Sequence, residues 1–294
     1  MDNTDPSGEI RVQARAKVNL SLLVVGRRPD GYHQLDSLVA FAGYGDTIRV
    51  APAAAITLTI DGPTASALPA GHDNIVLAAA RLLADRAGIT AGAAIRLTKR
   101  LPVAAGIGGG SADAAAALSA LARLWSVTLP EAEWSDLALA LGADVPVCLR
   151  GRATAMTGIG EILTPVPPLP PAWLVLVNPM LPCPTPAVFK GRTGPFSPPM
   201  PLDANEDWGD APSLVRALER RGNDLTAAAI AVVPAIGEAL NELAARPGCL
   251  LARMSGSGAT CFGLFADQSR AQDAAAVVRA AHPGWWVQPA PLEG

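Results

Sequence analysis

Lysine is scarce in this chain of 294 residues: Lys17, Lys99 and Lys190 stand against 20 arginines. Aromatics are few, with 6 Trp, 2 Tyr and 5 Phe. The four cysteines (Cys148, Cys183, Cys249 and Cys261) form no C-x-x-C pair and have no histidine at ligand spacing. That excludes a zinc site and a disulfide framework, and reads as small buried residues in a reducing compartment. No apolar run approaches the ~18 residues of a membrane span. The N-terminus MDNTDPSGEI is acidic and polar, the opposite of a signal peptide. The expectation is a soluble, cytoplasmic protein without a membrane partner. A net charge of −3 leaves no broad basic footprint, which argues against nucleic acid as a partner.

What is present is 57 Ala, 28 Gly and 27 Pro, with hydrophobic residues at 50%. There is no Gly-X-Y period, so the chain is not collagen-like, and it has apolar material for a sizeable core. The length suits one large or two ordinary domains. Residues 10–60 alternate and are rich in Val, Leu and Ile, which predicts an antiparallel group of strands. Asp73-Asn74 opens a helical stretch that ends on Gly88, and the short strand AIRLTKRL follows, with Ile95 and Leu97 on one face. Next comes PVAAGIGGGSAD, then an Ala-rich helix through AAAALSALARLW. The next helix is expected to start on a capping-box spacing, Thr128 to Glu131, and to stop at Gly142. Residues 163–171, LTPVPPLPP, suggest a boundary, giving domains 1–163 and 164–294. The second half reads as the strand WLVLVNP, a Pro-rich loop over 191–212, two helices, the strand MSGSGATCFGLFAD, a helix and a last strand. Strands and helices mix without regular alternation, which favours an α+β fold.

Between a strand and the Ala-rich helix stands Gly106-Ile107-Gly108-Gly109-Gly110-Ser111. Glycines allow close backbone approach, and the free amides of a helix start favour an anion, so the loop suits polyphosphate. No Gly-Lys-Ser/Thr follows it, and Ser111 occupies the third-glycine position of G-x-G-x-x-G, so neither common nucleotide loop is present. A helix entry that merely needs flexibility is the competing account.

PVAAGIGGGSADAAAAL resembles the phosphate-binding motif of the GHMP kinase superfamily. Four further blocks follow that resemblance in register: residues 14–38, 142–151 (GADVPVCLRG), 184–190 (PTPAVFK) and 254–265 (MSGSGATCFGLF). They point to the branch acting on a cytidine diphosphate-linked methylerythritol in the non-mevalonate route to isoprenoid precursors. The resemblance implies an ATP-dependent kinase that phosphorylates the C2 hydroxyl. It also implies a two-domain GHMP-kinase-like fold with the active site in the cleft between domains. Lys17 and Asp144 would be the catalytic pair. Pro102, Val103, Ala104, Ala105, Gly106, Ile107, Gly108, Gly109, Gly110, Ser111 and Ala112 would bind ATP, with Asn74 and Lys99 near adenine. Tyr32, His33 and Phe189 would hold cytosine, Asn19 would lie near the diphosphate, and Thr185 would also meet substrate. Mg²⁺ is implied, but no acidic residue announces itself as its ligand. Where relatives often carry Gly-Gly-Gly before the loop and two serines after it, this chain has Ala104-Ala105-Gly106 and Ser111-Ala112-Asp113.

Each residue also has a local reading. Lys17 shares parity with Arg15 and Asn19, so it fits the solvent face of a strand as well as a paired ammonium. Asp144 fits a turn former as well as a general base for a poorly nucleophilic tertiary alcohol. A Lys17–Asp144 ion pair would keep the carboxylate ionised. Asn74 fits a helix cap, Lys99 a solvated strand lysine, His33 a loop histidine and Phe189 a core residue. Ser255-Gly256-Ser257-Gly258 reads either as a tight turn or as a second wall of the cleft. Alternative functions are another GHMP kinase of homoserine or mevalonate type, or a non-catalytic nucleotide- or metabolite-binding relative.

Overall fold

A computed structural model describes residues 8–68, 74–202 and 208–294. The acidic stretch 1–7, Asp73 and residues 203–207 of the Pro-rich loop lie outside the described residues. In chain order the elements are β1 (Ile10–Asn19), β2 (Leu23–Arg27), β3 (His33–Ala53), β4 (Thr57–Asp61), α1 (Ile75–Ala87), β5 (Gly92–Thr98) and α2 (Gly109–Leu124). Next come α3 (Glu131–Leu141), α4 (Val145–Arg150), β6 (Thr154–Gly158), β7 (Ile162–Pro165) and β8 (Trp173–Asn178). Four helices follow: α5 (Thr185–Gly191), α6 (Ala211–Glu219), α7 (Thr226–Val232) and α8 (Ala235–Ala244). The chain closes with β9 (Cys249–Met254), β10 (Cys261–Phe265), α9 (Gln268–Ala281) and β11 (Trp286–Glu293). Among the described residues no helix is long and apolar enough to cross a membrane.

The chain forms two compact units that interleave in sequence. Unit 1 is Met1–Ala16, Gly45–Val103 and Gly108–Gly151; unit 2 is Lys17–Tyr44, Ala104–Ile107 and Arg152–Gly294. The Pro-rich stretch lies in unit 2, where its first residues form β7, paired antiparallel with β6.

In unit 1 the last part of β3 pairs antiparallel with β5, and β4 pairs parallel with β5. The parallel pair corrects the expectation of an all-antiparallel group: strands 57–61 and 92–98 are joined through α1, and a helical crossover is what a parallel pair needs. α1 starts as read, with the Asn74 side chain accepting from Val76 N, and ends at Gly88 in the left-handed conformation (φ 64°). It buries Val76, Ala79, Ala80, Leu83 and Ala84, the spacing of one helical face. Nine residues of α2 are buried, six of them alanine, so neighbouring helices can approach it closely. The capping box before α3 does not form: Pro130 is the cap, and no side chain caps the helix.

In unit 2, β9, β10, β8 and β11 run antiparallel in that order, and the first part of β3 pairs antiparallel with β2, β6 and β11. The stretch expected as one strand is a hairpin, with residues 255–260 turning between β9 and β10. Where two helices were expected, α6, α7 and α8 occur, because Pro234 separates the last two. Leu225, Ile236, Leu243, Phe265 and Val278 lie in the core of this unit. No disulfide forms among the described residues, and burial pushes the Cys261 thiol up to about 12.

Candidate active site

The glycine-rich loop leaves β5, crosses from unit 1 to unit 2 for residues 104–107, and returns to open α2. Gly108 (φ 62°) is the cap of α2, and Ala104 and Gly106 also take positive φ, at 53° and 73°. Within unit 2 the loop carbonyls are tied inward one after another. Ala105 O accepts from Thr260 N (3.1 Å), Gly106 O from Ser255 Oγ (3.2 Å) and Ile107 O from Lys17 N (3.0 Å). In a trans peptide the next N–H points opposite to the carbonyl. The amides of Gly106, Ile107 and Gly108 therefore face away from those partners. Within unit 1, the first-turn amides of α2 have no intrahelical acceptor either. Free N–H groups at a helix start favour an anion. A Cβ on Gly106 would run into the Gly258 carbonyl, so glycine is sterically required there.

The second glycine loop is a support. Ser255 is fully buried; its hydroxyl accepts from Asn19 N (3.0 Å) and donates to Gly106 O. Thr260 N holds Ala105, and Thr260 Oγ1 accepts from Asn178 Nδ2 (2.8 Å). Of its two local readings, the tight turn is the one seen, with a buttressing role that residue types alone did not show.

Lys17 lies in β1 and is 4% exposed, so the solvent-face reading does not hold; alternation ends at residue 16, and residues 16–20 are all buried. Asn19 is 1% exposed. Its Nδ2 donates to Ser37 Oγ (2.8 Å), and Ser37 spends its own proton on Ser21 O. That fixes the amide's orientation and leaves Asn19 Oδ1 without a donor among the described residues. Asp144 is half-buried at the start of α4, two residues before Pro146, and its side chain does not cap that helix.

Lys99 is not solvated. Its ammonium is 3% exposed and binds both Asp46 and Asp113 Oδ2 (2.7 Å) inside unit 1. Burial pulls the Lys99 pKa down, but the Asp113 and Asp46 carboxylates outweigh it and leave it raised. Burial pushes the Asp113 carboxyl up to about 8 against the pull of Lys99, with the Asp46 charge adding to the rise. Asp46 also accepts from the backbone N–H of Arg100 and Leu101 (2.9 Å to Leu101), which pins the strand end where the loop begins. Asp46 was not singled out from sequence; a lone acid in the apolar run GYGDTIRV carried the same signal as Lys17.

The aromatic residues gather in unit 2. The His33 and Phe189 rings stack at 4.9 Å with a 25° interplanar angle, and Phe189 also packs against the core. Tyr32, on the turn set by Gly31 (φ 93°), is 62% exposed. Burial and the nearby charges of Arg27 and Arg192 lower the His33 pKa, which favours a neutral ring. Thr185, at the start of α5, hydrogen-bonds Ser257 Oγ (2.8 Å). Asn74 is spent as the cap of α1.

For a metal, the described residues contain no group of three or more His, Cys, Asp or Glu that could hold an ion. Asp113, the acid nearest the loop in sequence, is turned inward to Lys99 and is not open to a divalent cation.

The GHMP kinases N terminal domain matches residues 74–152, and GHMP kinases C terminal matches residues 203–284. A 4-diphosphocytidyl-2-C-methyl-D-erythritol kinase of Paramagnetospirillum magneticum is 61% identical, covering 96% of this chain and 98% of its own. The kinase of the same name from Rhodospirillum rubrum is 58% identical over 96% and 92%. A crystal structure of 4-(cytidine 5'-diphospho)-2C-methyl-D-erythritol kinase superposes with a TM-score of 0.80 at 36% identity, covering 97% of this chain and all of that one. Homoserine kinase from Cytophaga hutchinsonii, at 17% identity and a TM-score of 0.74, shares the fold.

Proposed function

Because the chain belongs to the 4-diphosphocytidyl-2-C-methyl-D-erythritol kinases of the GHMP family, we propose that it transfers the γ-phosphoryl group of ATP to the C2 hydroxyl of 4-diphosphocytidyl-2-C-methyl-D-erythritol. The observation that carries the phosphate half of this reading is the set of loop carbonyls at 105, 106 and 107, all held inward. The amides opposite those carbonyls are assigned to the phosphates of ATP, and so are the free amides that open α2. Positioning and electrostatic stabilisation do most of the work in phosphoryl transfer, and prepaid backbone geometry supplies both.

Asp144 is assigned as the base that takes the hydroxyl proton late in transfer, and Lys17 as the cation that steadies the reacting charge. Tyr32, His33 and Phe189 recognise cytosine by stacking and by the edge of a neutral imidazole. Asn19 is placed on the substrate, where Oδ1, an acceptor, suits a hydroxyl better than a diphosphate oxygen. Mg²⁺ would enter with the nucleotide, neutralising its phosphates. Both reactants are small and water-soluble, which fits a cytoplasmic reaction.

The test is transfer of ³²P from labelled ATP to 4-diphosphocytidyl-methylerythritol by the purified chain, with homoserine and mevalonate in parallel. Phosphorylation of either parallel substrate in preference to the cytidine compound would overturn the assignment.

A further inference from the structure

Two carboxylates and one ammonium are buried together in unit 1, between the strand end where the glycine-rich loop begins and the first turns of α2. With every group ionised the trio carries a charge of −1. Asp46 accepts from Lys99 and from two backbone amides, whereas Asp113 accepts from Lys99 alone and its Oδ1 has no donor among the described residues. A buried carboxylate oxygen without a donor disfavours the ionised form, so a proton bound by the cluster belongs on Asp113.

Arg100 turns its guanidinium to Thr47 Oγ1 (2.8 Å), and the buried residues of α1, α3 and α4 carry no titratable side chain. A Cβ on Gly109, in the first turn of α2, would lie 3.7 Å from Lys99 Nζ, so a ligand on that turn sits close to the cluster.

Resting on the nucleotide reading above, we propose that Asp113 is a proton-carrying positioning residue, and that the Lys99–Asp46–Asp113 cluster takes up a proton from solvent when a polyphosphate settles on the first turn of α2. The phosphate charge adds to the cluster's own excess, and like charge favours the protonated carboxyl. Lys99 and Asp46 meanwhile hold the loop's starting strand to α2, so the cradle keeps its shape as charge arrives. A carboxyl lying at about 8 in the free protein makes this exchange available just above neutral pH.

The experiment is calorimetric titration of the full chain with ADP, at about pH 8.5, in buffers of different ionisation enthalpy. At that pH the ADP phosphates are fully ionised, so any uptake is the protein's. Wild type takes up as much as one proton, and its affinity falls on alkalinisation by at most about tenfold per pH unit. Asp113→Asn shows no uptake and a flat affinity. Binding without uptake in wild type, or undiminished uptake in Asp113→Asn, overturns the linkage alone. Failure of ADP to bind overturns the nucleotide reading and the linkage with it.

Ligand-free stability gives an independent arm. The folded-state pKa of Asp113 is raised above its unfolded value, so its contribution is lost as pH climbs toward about 8. The folding constant of Asp113→Asn relative to wild type therefore grows over that range, by at most about tenfold per unit, and levels off above it. A difference independent of pH removes the proton from Asp113.

Discussion

The loop residues Ala104–Ile107 and the turn at 30–33 are both short, glycine-containing connections of unit 2, built on opposite plans. The loop is made of backbone: its carbonyls are tied to Thr260, Ser255 and Lys17, and its glycine has no space for a side chain. The turn is made of side chains. Tyr32 is largely exposed, His33 rests on Phe189, and a Cβ on Gly31 would have only an Arg27 guanidinium nitrogen within 4 Å, at 3.8 Å. The difference matches the two tasks proposed for them. Charge developing on a phosphoryl group rewards dipoles fixed in advance, whereas a planar base needs only a face and an edge. Substitutions near the chemistry should therefore cost rate, and substitutions at the turn should cost affinity for one substrate.

The largest expected effect is at Asp144. Asp144→Asn keeps shape and reach but cannot take a proton, and general-base assistance is worth ~10²–10⁴ in rate. kcat should fall by that order in steady-state assays while both substrates still bind. Lys17→Arg keeps the charge but replaces a compact ammonium with a planar fork, so it too should lose rate. In a double-mutant cycle the two losses should be non-additive if the residues act as a unit. Near-normal kcat in Asp144→Asn, with chemistry rate-limiting, would remove the base.

The two glycines sharpen the same contrast. Gly106→Ala meets both the left-handed strain of φ 73° and the Gly258 carbonyl. Strain of ~1–2 kcal/mol and overpacking of ~1–3 kcal/mol should both appear, as a lower melting temperature and weaker ATP binding. Gly31→Ala, at φ 93° in open space, should show the strain alone and leave ATP affinity intact. Equal losses of ATP affinity in the two variants would erase the distinction between loop and turn.

How much of this was readable in the sequence depends on the range of the interactions. α1 was readable at both ends because Asn74 and Gly88 act on their own neighbours. The α+β class and the loop–helix junction were readable for the same reason. β4 was misjudged in its pairing, since the residue facing Thr57 is Ala94, beyond a helix. Lys99 looked solvated because its partners are 53 and 14 residues away, and no local pattern shows that Asp46 and Asp113 converge on it. The support given by Ser255 to Gly106 spans 149 positions. The loop was visible in the sequence as glycines; what holds it was not.

At the turn, Tyr32→Ala should cost about 1–3 kcal/mol of affinity for the cytidine substrate, the scale of base–aromatic stacking. ATP affinity should be unmoved, as isothermal titration can check for each ligand separately. Parallel losses would point to unfolding, and no loss would take Tyr32 out of the site.

The smallest effect expected is the titration of His33. Burial comes first among the causes that lower its pKa, with Arg27 and Arg192 adding like-charge repulsion. A histidine whose folded pKa lies below its unfolded value favours the fold in its neutral form. Its contribution is present above the unfolded pKa and is lost as pH falls through the folded one. Proton NMR of the ring should place the His33 midpoint below the ordinary histidine value. The signal can be assigned by its absence in His33→Gln, among three histidines in the chain. Arg192→Met removes one of the two charges and shortens the polar reach over Phe196, whose ring lies 5.2 Å from the guanidinium carbon. The midpoint should then move up, toward but not beyond the ordinary value, because burial and Arg27 remain. A midpoint indifferent to Arg192 would remove that charge from the causes, and a midpoint at or above the ordinary value in wild type would mean that His33 is freely hydrated and that the turn lacks its neutral imidazole edge.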